Sequence, residues 1–159
     1  PVQYADYALW QRDVLGSPDQ EESVLGQQLA FWTDTLAGVP EVIDLPTDRP
    51  RPPVFSPDGG QVGFAIPAEL GARVDEFAAQ AGATRFMVLH AAFAVLLSRL
   101  SGSDDVVLGT PFDGRGPRGL GALVGMFVNT VVLRSRVRPG ECLAQLNRRV
   151  LEQDSIYLL

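Results

Sequence analysis

Few residues in this chain could do chemistry. There is one histidine, His90, and one cysteine, Cys142. Two carboxylates adjoin at Asp104 and Asp105, and a glycine-rich run, GRGPRGLG, carries Arg115 and Arg118. A single amide, Asn129, interrupts the apolar run GMFVNTVVL. His90 could act as a general base. It sits inside FMVLHAAFAVLL, however, and no GxSxG nucleophile accompanies it, so the reading is a helix histidine satisfied locally. One Cys and one His without clustered carboxylates predict no metal site. Asp104 and Asp105 lie between Gly102 and an apolar run, which predicts turn caps. GRGPRGLG precedes no GK[ST] and has Pro117 in mid-loop, so it reads as a flexible loop and not as a phosphate cradle. Cys142 reads as a small apolar helix residue. Asn129 reads as a buried amide, costly unless its hydrogen bonds are met. These residues define no self-contained active site.

The composition narrows the classes further. The 159 residues are 46% hydrophobic and 20% charged, ordinary for one globular domain with a core of its own. The net charge of −6 argues against nucleic acid and anionic membrane as partners, since both want a basic surface. Every basic residue is Arg, which excludes a lysine nucleophile or Schiff base. A lone cysteine permits no internal disulfide and predicts a reducing, cytoplasmic location. No apolar run reaches transmembrane length. The abrupt helical start and the apolar end predict a piece of something larger.

The elements that must position these residues follow from periodicity. Tyr4–Leu15 predicts a helix with Tyr7 and Trp10 on one face. Ser17-Pro18 predicts the start of a second, with Leu25, Leu29, Trp32 and Leu36 as its stripe and Gly38 as its end. The proline-rich IDLPTDRPRPPVFSPDGG is a semi-extended connector. QVGFAI alternates as a strand, with Val62, Phe64 and Ile66 on one face. Pro67 opens a third helix and Gly82 stops it. Thr84 caps a fourth, apolar from Phe86 to Leu97 except at His90 and therefore buried nearly all round. VVLGTPF predicts a strand buried on both faces. MFVNTVVLRSRV predicts the next strand, and Glu141 to about Asp154 a last helix. The class is α/β, a small mixed sheet packed by helices.

Four stretches in order resemble the condensation domains of nonribosomal peptide synthetases. YADYALWQ is similar to that family's Y-x-D-[FY]-A-x-W motif, and QLAFWTDTLAGVPEVIDLPTDRPRP to the segment after it. GATRFMVLHAAFAVLLSRLSGSDDVVLGTPFDGR resembles the long helix, the G-x-DD turn and the GTP…GR strand. VGMFVNTVVLR resembles the [IV]-G-x-F-V-N-T-x-x-x-R motif. Together they cover nearly the whole chain.

The resemblance implies one lobe of the two-lobed chloramphenicol acetyltransferase-like fold. Residues 1–159 would form a partial C-terminal lobe. The catalytic HHxxxDG motif, which belongs to the N-terminal lobe, is absent from this chain. It implies that donor and acceptor peptidyl carrier proteins deliver phosphopantetheine-tethered thioesters into a tunnel between the lobes, where the acceptor amine attacks the donor. The pantetheine arms are then tethered substrates, and no cofactor is bound directly. Partners would be the N-terminal lobe, the carrier proteins and adjacent synthetase domains. Asn129, Phe127 and Thr130 would line the tunnel. Arg115 and Arg118, or Arg134, Arg136 and Arg138, would dock carriers. Asp58 stands where family members often carry an arginine that holds the catalytic motif, unless Arg49 or Arg51 replaces it. That departure motivates an alternative, a non-catalytic recruitment domain of the same fold. An epimerisation-domain lobe is another, and a plain acyl-CoA acyltransferase lobe a fourth.

Overall fold

In a computed structural model the chain is described over residues 2–50, 52–115 and 120–157, the last four by backbone alone. Arg51 and Arg118 lie outside the described residues. In chain order the elements are α1 (Tyr4–Leu15), α2 (Val24–Thr35), α3 (Ala68–Gln80), α4 (Arg85–Ser101), β1 (Asp105–Asp113), β2 (Val128–Arg136) and α5 (Leu143–Tyr157). The chain divides into two compact units: residues 1–39 with 109–132, and residues 40–108 with 133–159.

In the first unit α2 starts six residues later than Ser17-Pro18 predicts. Ser23, not the proline turn, is the cap, its Oγ accepting from the Gly26 N–H at 2.9 Å. Gly26 is buried because the 17–22 turn folds over it. A Cβ there would stand 2.2 Å from the Gln20 carbonyl oxygen. α1 is capped reciprocally, the Asp6 carboxylate accepting from the Gln3 N–H.

In the second unit α4 packs on both α3 and α5. Met87, Ala91, Leu146 and Val150 form one buried cluster; Ala94, Leu97 and Val106 form another, with Ile43 and Leu45 from the proline-rich connector against it. Each large apolar side chain so buried contributes about 1.5–3 kcal/mol. Thr84 caps α4 as its position predicts, accepting from the Met87 N–H, and Gly102 ends it in the left-handed conformation. The helix is not buried all round. Met87, Val88, His90, Ala91, Ala94 and Leu97 face inward, whereas Phe86, Leu89, Phe93, Leu96 and Leu100 are 39–50% exposed. QVGFAI is not a strand either. Residues 61–66 are extended without ladder partners among the described residues, with Val62 89% and Phe64 87% exposed. Alternation supplies a face, but a strand also needs a neighbour to bond.

β1 and β2 pair as a two-stranded sheet. The Gly114 N–H donates to the Phe127 carbonyl and the Val137 N–H to the Asp104 carbonyl. Numbers falling on one strand as they rise on the other make the pair antiparallel, without a net bulge between those bonds. Even-numbered residues of β1 and odd-numbered residues of β2 therefore bond across the ladder. The N–H and C=O groups of their neighbours, the Pro111 carbonyl and the Thr130 N–H included, point to the outer edges. Burial is graded along the hairpin: Val106, Leu133 and Ser135 are enclosed, whereas Gly109, Pro111 and residues 128–130 are exposed. β1 is thus not buried on both faces along its length.

Candidate functional site

Within the first unit, α1 and the hairpin loop build a compact aromatic cluster. Phe127, 6% exposed, meets Tyr4 edge-on with ring centroids 5.2 Å apart, and lies 4.8 Å from Tyr7. Such pairs add about 0.5–1.5 kcal/mol beyond their burial. The phenols also make hydrogen bonds: Tyr4 donates to the Met126 carbonyl at 2.7 Å, and Tyr7 to the Gly114 carbonyl at 3.3 Å. Gly125 must be glycine here, since a Cβ would fall 2.2 Å from the Tyr4 ring. YADYALW therefore holds the loop that leads into β2.

Asn129 and Thr130 follow at the start of β2, both exposed. This corrects the expectation of a buried amide. Asn129 Oδ1 accepts from the Thr130 N–H at 2.8 Å, the very group that the register turns to the outer edge. The Asn129 Nδ2 donors have no partner among the described residues. Phe127 differs from its two neighbours: its side chain is core under Tyr4 and Tyr7. The flanking apolar side chains that face solvent are Val124, 94% exposed, Met126 and Val128.

The arginines expected to dock carriers separate into different roles. Arg115 is turned inward, its Nη1 donating to the Leu120 and Leu123 carbonyls at 3.1 and 2.9 Å and its guanidinium lying 4.3 Å from the Phe127 centroid. Arg134 is buried and forms a two-pronged pair with Asp105, its Nη2 2.6 Å from Oδ2. Asp105 is thus the anchor of that arginine and more than a turn cap. The hydrogen bonds from Arg134, and more weakly the charge of Arg136 at 3.7 Å, hold its carboxyl below the usual carboxylate range against a contrary effect of partial burial. Arg136 and Arg138 remain exposed. On the far side of β2, Arg149 bonds Glu141 and the Arg136 carbonyl, tying α5 to the strand end and lowering the Glu141 carboxyl.

His90 is buried in α4, and its Nε2 lies 3.2 Å from Ser135 Oγ on β2, a partner 45 positions away and not a local one. Cys142 is exposed and precedes α5; its carbonyl accepts from the Gln145 and Leu146 N–H groups, so it is not an apolar helix residue. Asp58 lies exposed in a local turn, accepting from Ser56 Oγ. Among the described residues no three His, Cys, Asp or Glu side chains converge as metal ligands, and no single helix is long and apolar enough to cross a membrane. A 390 Å³ cleft in the second unit, edged by Ile66, Val74, Leu89 and the Asp75–Arg85 pair, brings together no catalytic set.

Comparison with known proteins matches residues 1–155 to the family described as Condensation domain. The chain is 53% identical over 135 residues to a probable non-canonical nonribosomal peptide synthetase, CymA, from Salinispora arenicola, covering 85% of this chain and 2% of that one. It is 45% identical over 156 residues to the phosphinothricin tripeptide synthetase PhsC from Streptomyces viridochromogenes, covering 96% of this chain and 14% of that one. Among solved structures it superposes on the X-domain from teicoplanin biosynthesis, in its complex with OxyB, with a TM-score of 0.89 at 30% identity, over 98% of this chain and 34% of that one. The four-domain synthetase AB3403 gives a TM-score of 0.85 at 29% identity, over 98% of this chain and 11% of that one.

Proposed function

Because this chain belongs to the condensation-domain family of nonribosomal peptide synthetases, with its α/β fold of the chloramphenicol acetyltransferase-like kind, we propose that it is the C-terminal lobe of such a domain and supplies a tunnel wall where an amide bond forms. The chain spans about a third of the X-domain chain and far less of the synthetases it matches, so the reaction is proposed for the parent. An acceptor amine on one carrier protein attacks the thioester of an acyl or peptidyl donor on another. Carrier-bound phosphopantetheine is the tether of each substrate. The histidine that acts as base or positions the amine belongs to HHxxxDG, which these residues lack.

The observation that carries this reading is the exposed amide of Asn129 at the mouth of β2, in the FVNT sequence. Its oxygen is occupied locally by the Thr130 N–H, while its Nδ2 donors are free to meet a thioester or amide carbonyl. In the intact parent, Asn129→Ala is expected to lower amide formation at least about tenfold while leaving the melting temperature nearly unchanged. Equal turnover with lower stability would make Asn129 structural. The 159 residues alone are expected to form no amide bond in a carrier-bound assay.

A recruitment role is the second reading, favoured by the X-domain likeness: that relative is found in complex with OxyB. Peptide formation by the intact parent, lost when the upstream histidine is replaced, would eliminate it.

A further inference from the structure

Residues 120–127 lead into the strand that carries Asn129, and one side chain does much of the holding there. Arg115 stands at its entry. Its Nη1 reaches two carbonyls in mid-loop, those of Leu120 and Leu123. Its guanidinium lies on the ring of Phe127 at the exit. Its own N–H donates to Asp113 Oδ1, and its Nε stands 3.7 Å from that oxygen, fixing the root of the side chain. From the other direction α1 holds the same ring through Tyr4 and Tyr7 and holds the Met126 carbonyl through the Tyr4 hydroxyl. Asn129 follows two residues later.

We propose that Arg115 is a positioning residue for the Asn129–Thr130 end of β2. Its guanidinium clasps the loop so that Phe127 enters the strand in one geometry, which sets where the Asn129 carboxamide points. A docking arginine keeps its fork in solvent for a partner; this one is committed to two carbonyls and a ring. Lysine cannot take its place, because one ammonium cannot bridge two carbonyls while stacking flat on an aromatic face. For its effect on turnover the proposal rests on the condensation reading above.

The test uses the intact parent protein with Arg115→Lys, Phe127→Leu and both together. Initial rates of amide formation are measured against acceptor-carrier concentration, and amide hydrogen exchange is followed across residues 120–130, α4 and α5. Each single change is expected to lower kcat about tenfold with KM within about twofold, as a small misplacement of a reacting group does. Exchange at residues 123–130 is expected to accelerate while α4 and α5 stay protected. The double variant is expected to lose less than the two single losses combined, because both changes break the shared Arg115–Phe127 contact. A raised KM at unchanged kcat would return Arg115 to carrier docking and overturn the proposal. So would unaltered loop exchange, additive losses, or loss of protection throughout α4 and α5. If the unsubstituted parent forms no amide bond, the condensation reading has failed by itself. The exchange measurement then decides alone: faster exchange at 123–130 in Arg115→Lys upholds the clasp, and unchanged exchange overturns it.

Discussion

Among the described residues, the Asp105–Arg134 pair is the most enclosed ion pair of the hairpin. Arg134 is 9% exposed at its side chain and Asp105 19%, so removing the carboxylate leaves a guanidinium enclosed. Asp105→Ala is expected to cost about 3 kcal/mol in urea unfolding. The pH dependence has a definite sign. The Asp105 carboxyl is held below its ordinary value in the folded state, chiefly by hydrogen bonds from Arg134. Its contribution is therefore complete above the unfolded-state value of about 4, and is lost as pH falls through and below that value. Asp105→Asn should flatten the acid limb of a stability–pH curve relative to the parent; an identical limb would refute this. Asn147 offers the opposite case. Its carboxamide is 1% exposed, and neither its Oδ1 nor its Nδ2 has a partner among the described residues. An unmet buried amide costs about 1–3 kcal/mol, so Asn147→Leu should raise the melting temperature. At this scale the sequence was a partial guide. Asp105 was visible as a turn residue, but its partner lies 29 positions away. Only the hairpin register, which no local pattern encodes, brings it near Arg134. Asn129 misled for a related reason: apolar neighbours predict burial, yet Met126 and Val128 just before it are themselves exposed.

At the scale of elements, capping and glycine signals were legible, since they act within a few residues. Thr84 starts α4 as expected, and Gly102 ends it. Ser23 was missed because Pro18 offered a competing start, and the deciding contact is the turn folded back onto Gly26. Faces were less legible than boundaries. QVGFAI has the alternation of a strand but no bonded neighbour among the described residues, and α4 has a second apolar stripe that nothing described covers. The motif YADYALW gained a physical meaning that its spacing alone did not give: its two phenols hold the Phe127 ring and the entry to β2. Gly125→Ala should therefore be far more disruptive than an ordinary loop change. It drives a methyl into the Tyr4 ring and is expected to cost about 1–3 kcal/mol, measured by thermal unfolding, whereas Gly121→Ala, with open space around it, should be nearly neutral.

For the whole molecule, the dominant feature is apolar surface. Phe86, Leu89, Phe93, Leu96 and Leu100 recur at three- and four-residue intervals along α4, each about half exposed, a spacing suited to an apposed apolar element. The 159 residues alone are therefore expected to bind a hydrophobic dye and to self-associate in sedimentation. Phe93→Gln with Leu96→Gln should reduce both without unfolding, and monomeric behaviour of the unsubstituted chain would contradict the expectation. The hairpin has a related hazard, since both its outer edges are open among the described residues. Here the place of Pro111 matters. A proline inside the ladder would forfeit a bond, but this one sits where the missing N–H would have pointed outward. It costs the sheet nothing, and it denies one donor to any foreign strand that tries to extend the sheet from β1. On the other strand Asn129 does the same by occupying the Thr130 N–H with its own side chain. The two residues together leave a foreign strand fewer free donors at the exposed end of the hairpin.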